Sequence, residues 1–191
     1  MEYIMTELKI FKTNHEVTLP TFGTEQAACF DLAFQAYGKH EYTGYNKNNA
    51  AFSRPLSTGK IMLMSGDRIM VPTGLIFDIP EGYSVRIHPR SGLSFKQGLI
   101  LANLEAVIDS DYIHETFVLL TNSSENGITI NNGDRIAQAE LVKQEKYVIS
   151  ETTNKPVQKT DRIGGLGSTG VASVVTASVK KGRGRPKRNA V

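Results

Sequence analysis

One cysteine, Cys29, stands in a chain of 191 residues. An intramolecular disulfide is therefore excluded, and the usage is compatible with a reducing compartment. No run approaches the roughly 20 apolar residues of a membrane span, and the N-terminus lacks a basic region followed by an apolar core. The expectation is a soluble, unexported protein of the cytoplasm with no membrane partner. His15, His40, His88 and His114 are scattered, so no His/Cys cluster argues for zinc. No long apolar stripe of 3.6-residue period runs through the chain, and Ser91 to Gln97 is the best short helix. Acid is missing from the last 21 residues, which hold Lys180, Lys181, Arg183, Arg185, Lys187 and Arg188. The overall net charge of +3 thus hides a body, residues 1–170, of net −3 with a strongly basic tail. Such asymmetry points to a nucleic-acid-seeking appendage on a domain that does not itself grip nucleic acid.

What is present is a series of short β-type runs between turn signals. They are Tyr3 to Phe11, Lys60 to Met64, Arg68 to Val71, Leu75 to Ile79, Tyr83 to His88, Thr116 to Thr121, Ile128 to Ile130 and Ile136 to Val142. Ser65-Gly-Asp67, Pro72-Thr-Gly74, Pro80-Glu-Gly82 and Asn131-Asn-Gly-Asp134 are among the turns that separate them. The spacing predicts an all-β sandwich or barrel of one domain. Residues 38–58, rich in Gly, Asn, Tyr and Ser, read as a surface loop or small hairpin. Residues 171–191 cannot bury enough apolar surface to order themselves and read as a flexible tail.

The chemistry concentrates in Pro89-Arg-Ser-Gly-Leu-Ser-Phe-Lys-Gln-Gly-Leu99 and the following Asn103-Leu-Glu-Ala-Val-Ile-Asp-Ser-Asp-Tyr112. Arg90, Ser91 and Gly92 supply a planar cation, a hydroxyl donor and an approachable backbone, a set that suits phosphate oxygens. Asp109 can orient or deprotonate a water, and Tyr112 can stack on a sugar, so the pair indicates chemistry on a nucleotide phosphate. In isolation each has a plainer reading: Pro-Arg-Ser-Gly as a solvated turn, Asp109 as a turn cap, Tyr112 as packing.

Five stretches in order decide between these readings. Besides the two above they are Ala27-Ala-Cys-Phe-Asp-Leu-Ala33, Gly133-Asp-Arg-Ile-Ala-Gln138 and Arg162-Ile-Gly-Gly-Leu-Gly-Ser-Thr-Gly170. Together they resemble the five motifs of the trimeric deoxyuridine triphosphatases (dUTPases). The resemblance implies a jelly roll of the dUTPase β-clip type, a homotrimer, and hydrolysis of dUTP to dUMP and pyrophosphate by water attack on the α-phosphorus. Such an activity limits uracil in DNA and supplies dUMP for thymidylate synthesis.

By the same resemblance Asp109 is the catalytic carboxylate. Arg90, Ser91, Gly92, Gln138, Arg162, Gly167, Ser168 and Thr169 meet the phosphates. Asn103, Val107, Ile108, Tyr112 and Leu166 meet uracil and deoxyribose. Asp31 belongs to the water shell of Mg²⁺, whereas Asp134 and Arg135 are expected to form a structural pair at a strand start. The implied organisation is a jelly-roll domain over 1–160, a glycine-rich closing arm over 161–170, and the tail beyond.

Departures from the family pattern are Leu166, where an aromatic usually stacks on uracil, a fifth motif one residue short, and Ala106 where Gly is common. They imply looser closure and an altered hairpin, since Ala is less free than Gly at positive φ. Arg183-Gly-Arg-Pro186 resembles an AT-hook for the minor groove of A·T-rich DNA, with simple phosphate neutralisation as the plainer reading. Relative to the compact family members residues 38–58 look like an insertion between the first and second motifs, and with the tail they suggest a phage source, hence a host cytoplasm. The rivals are a deoxycytidine triphosphate deaminase of the same fold and a regulatory or DNA-tethering protein that uses nucleotide as a signal.

Overall fold

The computed structural model describes residues 5–56 and 58–161. The fifth motif and the basic tail, and with them Arg162, Leu166, Gly167, Ser168, Thr169, Arg183, Gly184, Arg185 and Pro186, lie outside the described residues. In chain order the elements are β1 (Lys9–Lys12), β2 (Phe30–Ala33), β3 (Glu41–Tyr45), β4 (Ala51–Pro55), β5 (Lys60–Leu63), β6 (Arg68–Pro72) and β7 (Leu75–Asp78). There follow β8 (Tyr83–His88), α1 (Ser91–Gln97), β9 (Leu99–Leu101), β10 (Ala106–Ile108), β11 (Phe117–Asn122), β12 (Ile128–Asn131) and β13 (Arg135–Lys143). The chain divides into residues 1–147, which hold all these elements, and residues 148–191. Residues 148–161 are exposed and carry no strand or helix. Among the described residues no helix is long and apolar enough to cross a membrane.

Four antiparallel sheets build the first unit, in the orders β1-β7, β10-β8-β13-β2, β4-β3-β6-β11-β9 and β12-β5. Period-2 alternation drives them: in β5 Ile61 and Leu63 are wholly buried while Lys60 and Met62 face out, as one buried sheet face requires. Leu32, Val71, Val85, Ile87 and Leu101 meet in the same core. The expected all-β architecture is what the chain forms, and α1 spans the expected residues. Three short strands, β2, β9 and β10, have no counterpart among the sequence-derived runs, because three or four residues give too little alternation to register.

Residues 38–58 form a hairpin, β3 with β4, that extends the five-stranded sheet at its edge. It is pinned rather than loose. Gly44 lies so close to β6 that a Cβ there would sit 2.3 Å from the Arg68 carbonyl oxygen. Tyr42 is buried and its hydroxyl donates to the Met62 carbonyl at 3.1 Å, while Arg54 stacks over Phe52 and pairs with the buried Asp67 at 3.3 Å.

One irregularity positions the site. Along β13 the pairing with β2 runs Gln138 opposite Asp31 and Ala137 opposite Leu32, then slips so that Arg135 opposes Ala33. Two β13 residues, Ile136 and Ala137, are buried in succession at this bulge, and the extra residue flips which face Arg135 presents. Without the bulge Arg135 and Gln138, three apart, point to opposite faces. With it, both stand on the face of Asp31.

Candidate active site

The row that carries the site crosses three strands. Asp31 on β2, Gln138 on β13 and His88 on β8 are register partners, so their side chains share a face. Two residues beyond His88 comes Arg90, which caps α1 in an extended conformation (φ −93°, ψ 123°). Its carbonyl accepts the amides of Leu93 and Ser94, both at 3.0 Å. At the other end Gly98 closes the helix with φ 71°, the left-handed cap that glycine adopts without strain. Gln138 donates through Nε2 to the Pro89 carbonyl at 3.0 Å, fixing the approach of the Arg-Ser-Gly turn to the sheet.

These residues open on a cleft of about 550 Å³ lined by Asp31, Arg90, Ser91, Gly92, Arg135 and Gln138, with Cys29 and Lys96 at its wall. Asp31 bridges two guanidinium groups: Arg90 Nε lies 3.0 Å from Oδ1, and Arg135 Nη1 donates to Oδ2 at 2.8 Å. A further bond runs from Arg90 Nη1 to the Arg135 carbonyl at 2.8 Å. The expected Asp134–Arg135 pair is not formed in this way. Asp134 instead accepts the Asn131 amide at 2.7 Å within its own turn, and Arg135 turns to Asp31. Arg135, Cys29 and Lys96 are among the cleft residues to which sequence reasoning gave no role at the site, although all three lie inside quoted motifs. Burial first, then the nearby charges of Glu140 and Asp31, push the Cys29 thiol upward in pKa.

A Cβ on Gly92 would meet nothing within 4 Å. Packing of the protein alone therefore places no demand for glycine there, and Gly92 is one of the residues that line the cleft.

Asn103, Asp109 and Tyr112 do not line the cleft. The Tyr112 amide donates to the Asp109 carbonyl at 3.2 Å, its hydroxyl donates to the Glu115 carbonyl at 3.0 Å, and its ring meets His114 edge-on at 5.6 Å. Asp109 and Asn103 are exposed, as is Val107, while Ile108 is half-buried. The altered hairpin expected from Ala106 does not arise at that residue: Ala106 is in β10, and the positive φ of the hairpin, 65°, falls on Leu104.

β10 pairs with β8 antiparallel, Ala106 opposite Ile87 and Ile108 opposite Val85. Continuing one step puts Asp109 opposite Ser84, about six residues back along the chain from Arg90, on the order of 20 Å at a strand's rise. Arg86 to Glu105 at 3.7 Å, and His88 to Glu105 at 3.8 Å and to Glu140 at 3.1 Å, tie the hairpin turn to β8. The carboxylate and the clamp are thus fixed at opposite ends of one strand.

The dUTPase from Staphylococcus bacteriophage 80alpha with dUPNHPP superposes with a TM-score of 0.68 at 19% identity, covering 87% of this chain and all of that one. A point mutant of the dUTPase from phage phi11 of S. aureus, described with a coordinated structural Mg(II) ion, gives 0.60 at 17% identity over 78% of this chain and 98% of that one. The fold is accordingly the β-barrel or jelly roll of dUTPases. The family model described as dUTPase matches residues 56–170. The deoxyuridine 5'-triphosphate nucleotidohydrolase of Nautilia profundicola is 37% identical over 165 residues, 86% of this chain and 99% of that protein. The chain belongs to the dUTPase family.

Proposed function

We propose that the chain is a dUTP diphosphatase, cleaving dUTP to dUMP and pyrophosphate, and that its active site is assembled from more than one copy in a homotrimer. The observation that carries the reading is the cleft that gathers Arg90, Ser91, Gly92, Arg135 and Gln138 around one space. Guanidinium, hydroxyl and backbone donors there match the oxygens of a triphosphate and stabilise charge that spreads over them in the transition state. Asp109 accepts the proton of the water that attacks the α-phosphorus, and Tyr112 stacks on the deoxyribose. Asn103 and the backbone of Val107 and Ile108 read the uracil edge. Because Asp109 and Arg90 lie at opposite ends of β8, the acid acting on a clamped phosphate comes from a neighbouring copy. Arg162 and the Gly164 to Gly170 stretch complete the phosphate cover.

Mg²⁺ fits this site in one manner. Among the described residues no group of three or more His, Cys, Asp or Glu side chains forms a metal cage, and Asp31 is the one acid on the cleft wall. An ion carried by the phosphates, with Asp31 reaching it through water, agrees with the preference of Mg²⁺ for oxygen ligands and retained waters. When bound it neutralises phosphate charge.

The test is pyrophosphate release from dUTP, dCTP, dTTP and UTP by the intact chain and by Asp109→Asn. Turnover selective for dUTP and lowered by a factor of about 10² to 10⁴ in the variant is expected. Absence of turnover with retained nucleotide binding would favour the signalling rival, and deamination of dCTP the other. The basic Arg183-Gly-Arg-Pro186 segment adds a second reading, minor-groove binding to A·T-rich DNA. Equal affinity for A·T-rich and G·C-rich duplexes at matched salt would leave only phosphate neutralisation.

A further inference from the structure

We propose that Lys39 is a positioning residue for sugar selection: by holding Glu115 it fixes the Tyr112 ring where a ribose 2′-hydroxyl would collide with it. The inference rests on the diphosphatase reading, in which Tyr112 lies on the deoxyribose, and gives residues 38–58 a part in that site.

The Tyr112 side chain is 38% exposed, so packing alone does not hold its ring. Its hydroxyl donates to the Glu115 carbonyl at 3.0 Å, and the His114 ring meets it edge-on. Those contacts are local, whereas Glu115 itself is tied to distant parts of the chain. The peptide that offers the Glu115 carbonyl carries the Thr116 amide on its other side, and that amide donates to the Leu75 carbonyl at 2.8 Å. Because the peptide unit is planar, the bond to Leu75 aims the carbonyl at Tyr112. The Glu115 carboxylate accepts the Gly74 amide on Oε1 at 2.9 Å and Lys39 Nζ on Oε2. Lys39 reaches it from the start of the 38–58 segment, and its ammonium also stands 5.6 Å from the centre of the Phe117 ring.

Of these ties Lys39 supplies the charge. The Glu115 side chain retains 12% accessibility and Lys39 29%, and among the described residues no other cation pairs with this carboxylate. A carboxylate so far withdrawn and left unpaired is costly and turns toward water. Turning gives up the Gly74 bond and unsettles the carbonyl that holds Tyr112. The consequence falls unequally on two substrates. A deoxyribose fits beneath the ring whether or not the ring is tethered. A ribose fits only if the ring swings aside, and rejection by collision is no stronger than the wall's resistance to moving. With the tether intact the swing breaks a hydrogen bond, and without it the ring yields.

The experiment measures kcat and KM for dUTP and UTP, by pyrophosphate release with Mg²⁺, for the full chain, Lys39→Met, Tyr112→Phe, the double variant and Lys39→Arg. Tyr112→Phe removes the tether outright and is expected to lower the dUTP-to-UTP ratio of kcat/KM by about three- to tenfold. Lys39→Met should lower it by about threefold, chiefly through a smaller KM for UTP, with kcat for dUTP little changed. In the double variant Lys39→Met adds nothing further, since it acts through a hydroxyl already removed, and Lys39→Arg keeps the ratio of the unaltered chain. An unchanged ratio in Lys39→Met, or an effect that persists undiminished beside Tyr112→Phe, overturns the inference while leaving the diphosphatase reading intact. So does an equal loss on both substrates, which an ion pair that only braces the fold would give. If Lys39→Met does not fold, an unchanged ratio in Tyr112→Phe overturns it. An unaltered chain that fails to turn over dUTP, even if it binds dUpNHpp, the imido analogue, defeats the diphosphatase reading and the inference with it.

Discussion

The two ends of β8 are built by different rules. At the Arg90 end tertiary contacts hold three of the cleft side chains: Asp31 by two arginines, Gln138 by the Pro89 carbonyl, and Arg135 by Asp31, toward which a bulge in β13 turns it. At the Asp109 end the contacts are local turn bonds, the Tyr112 amide to Asp109 and its hydroxyl to Glu115, and the acid stands exposed. The first end closes into a cleft, and the second stands exposed. A polar group left exposed on an ordered hairpin is available to a surface from outside the protomer, which is why the separation of about six residues along the strand argues for a composite site.

Mixing two crippled chains breaks or upholds that comparison most strongly. Arg90→Ala lacks the clamp and Asp109→Asn lacks the acid, so each alone should turn over dUTP at least about 10²-fold more slowly. When the two are unfolded and reassembled together at equal amounts, roughly a quarter of the sites in random assemblies would pair an intact clamp with an intact acid. Recovered turnover of that order is expected. No recovery would place both groups within one protomer and erase the distinction between the ends.

A smaller effect sharpens the account of the finished end. Gly92→Ala adds a methyl into open space, so thermal stability should stay within about 0.5 kcal/mol of the original. The same methyl meets an entering phosphate, and the affinity for dUpNHpp should fall by about tenfold. A loss of stability with unchanged affinity would mean that Gly92 serves the helix and not the ligand.

The smallest effect concerns Cys29, the thiol on the cleft wall. Burial and the adjacent Glu140 and Asp31 charges raise its pKa, so the thiolate fraction near pH 8 is smaller than for a free thiol. Alkylation by iodoacetamide should therefore be slower than for free cysteine, and dUpNHpp with Mg²⁺ should slow it further. A rate indifferent to the analogue would place the phosphates away from this wall.

Much of this was legible in the residues. The helix Ser91–Gln97 and the strand Tyr83–His88 follow from a turn signal and an alternating run that needed no partner to be recognised. Strands of three or four residues, β2, β9 and β10, carried too little pattern, and their formation depends on neighbours supplied from far along the chain. Arg90-Ser91-Gly92 and Asp109 with Tyr112 stand out as candidates because each set lies within one short stretch of chain. Arg135 was assigned to Asp134 because sequence proximity is the only proximity a sequence displays.

The sequence by itself determined the alternation that makes the chain all-β, the five motifs that mark the family, and the donors suited to phosphate. Only the tertiary structure decided which of those groups share a space. The register of β13 against β2 and β8 sets Asp31, Gln138 and His88 in one row, and one bulged residue turns Arg135 onto that face. The pairing of β10 with β8 sends Asp109 to the far end. Register is a property of pairs of strands, and a single extra residue reverses every side chain beyond it. That is why composition and motif order could name the parts while leaving open which of them face one another.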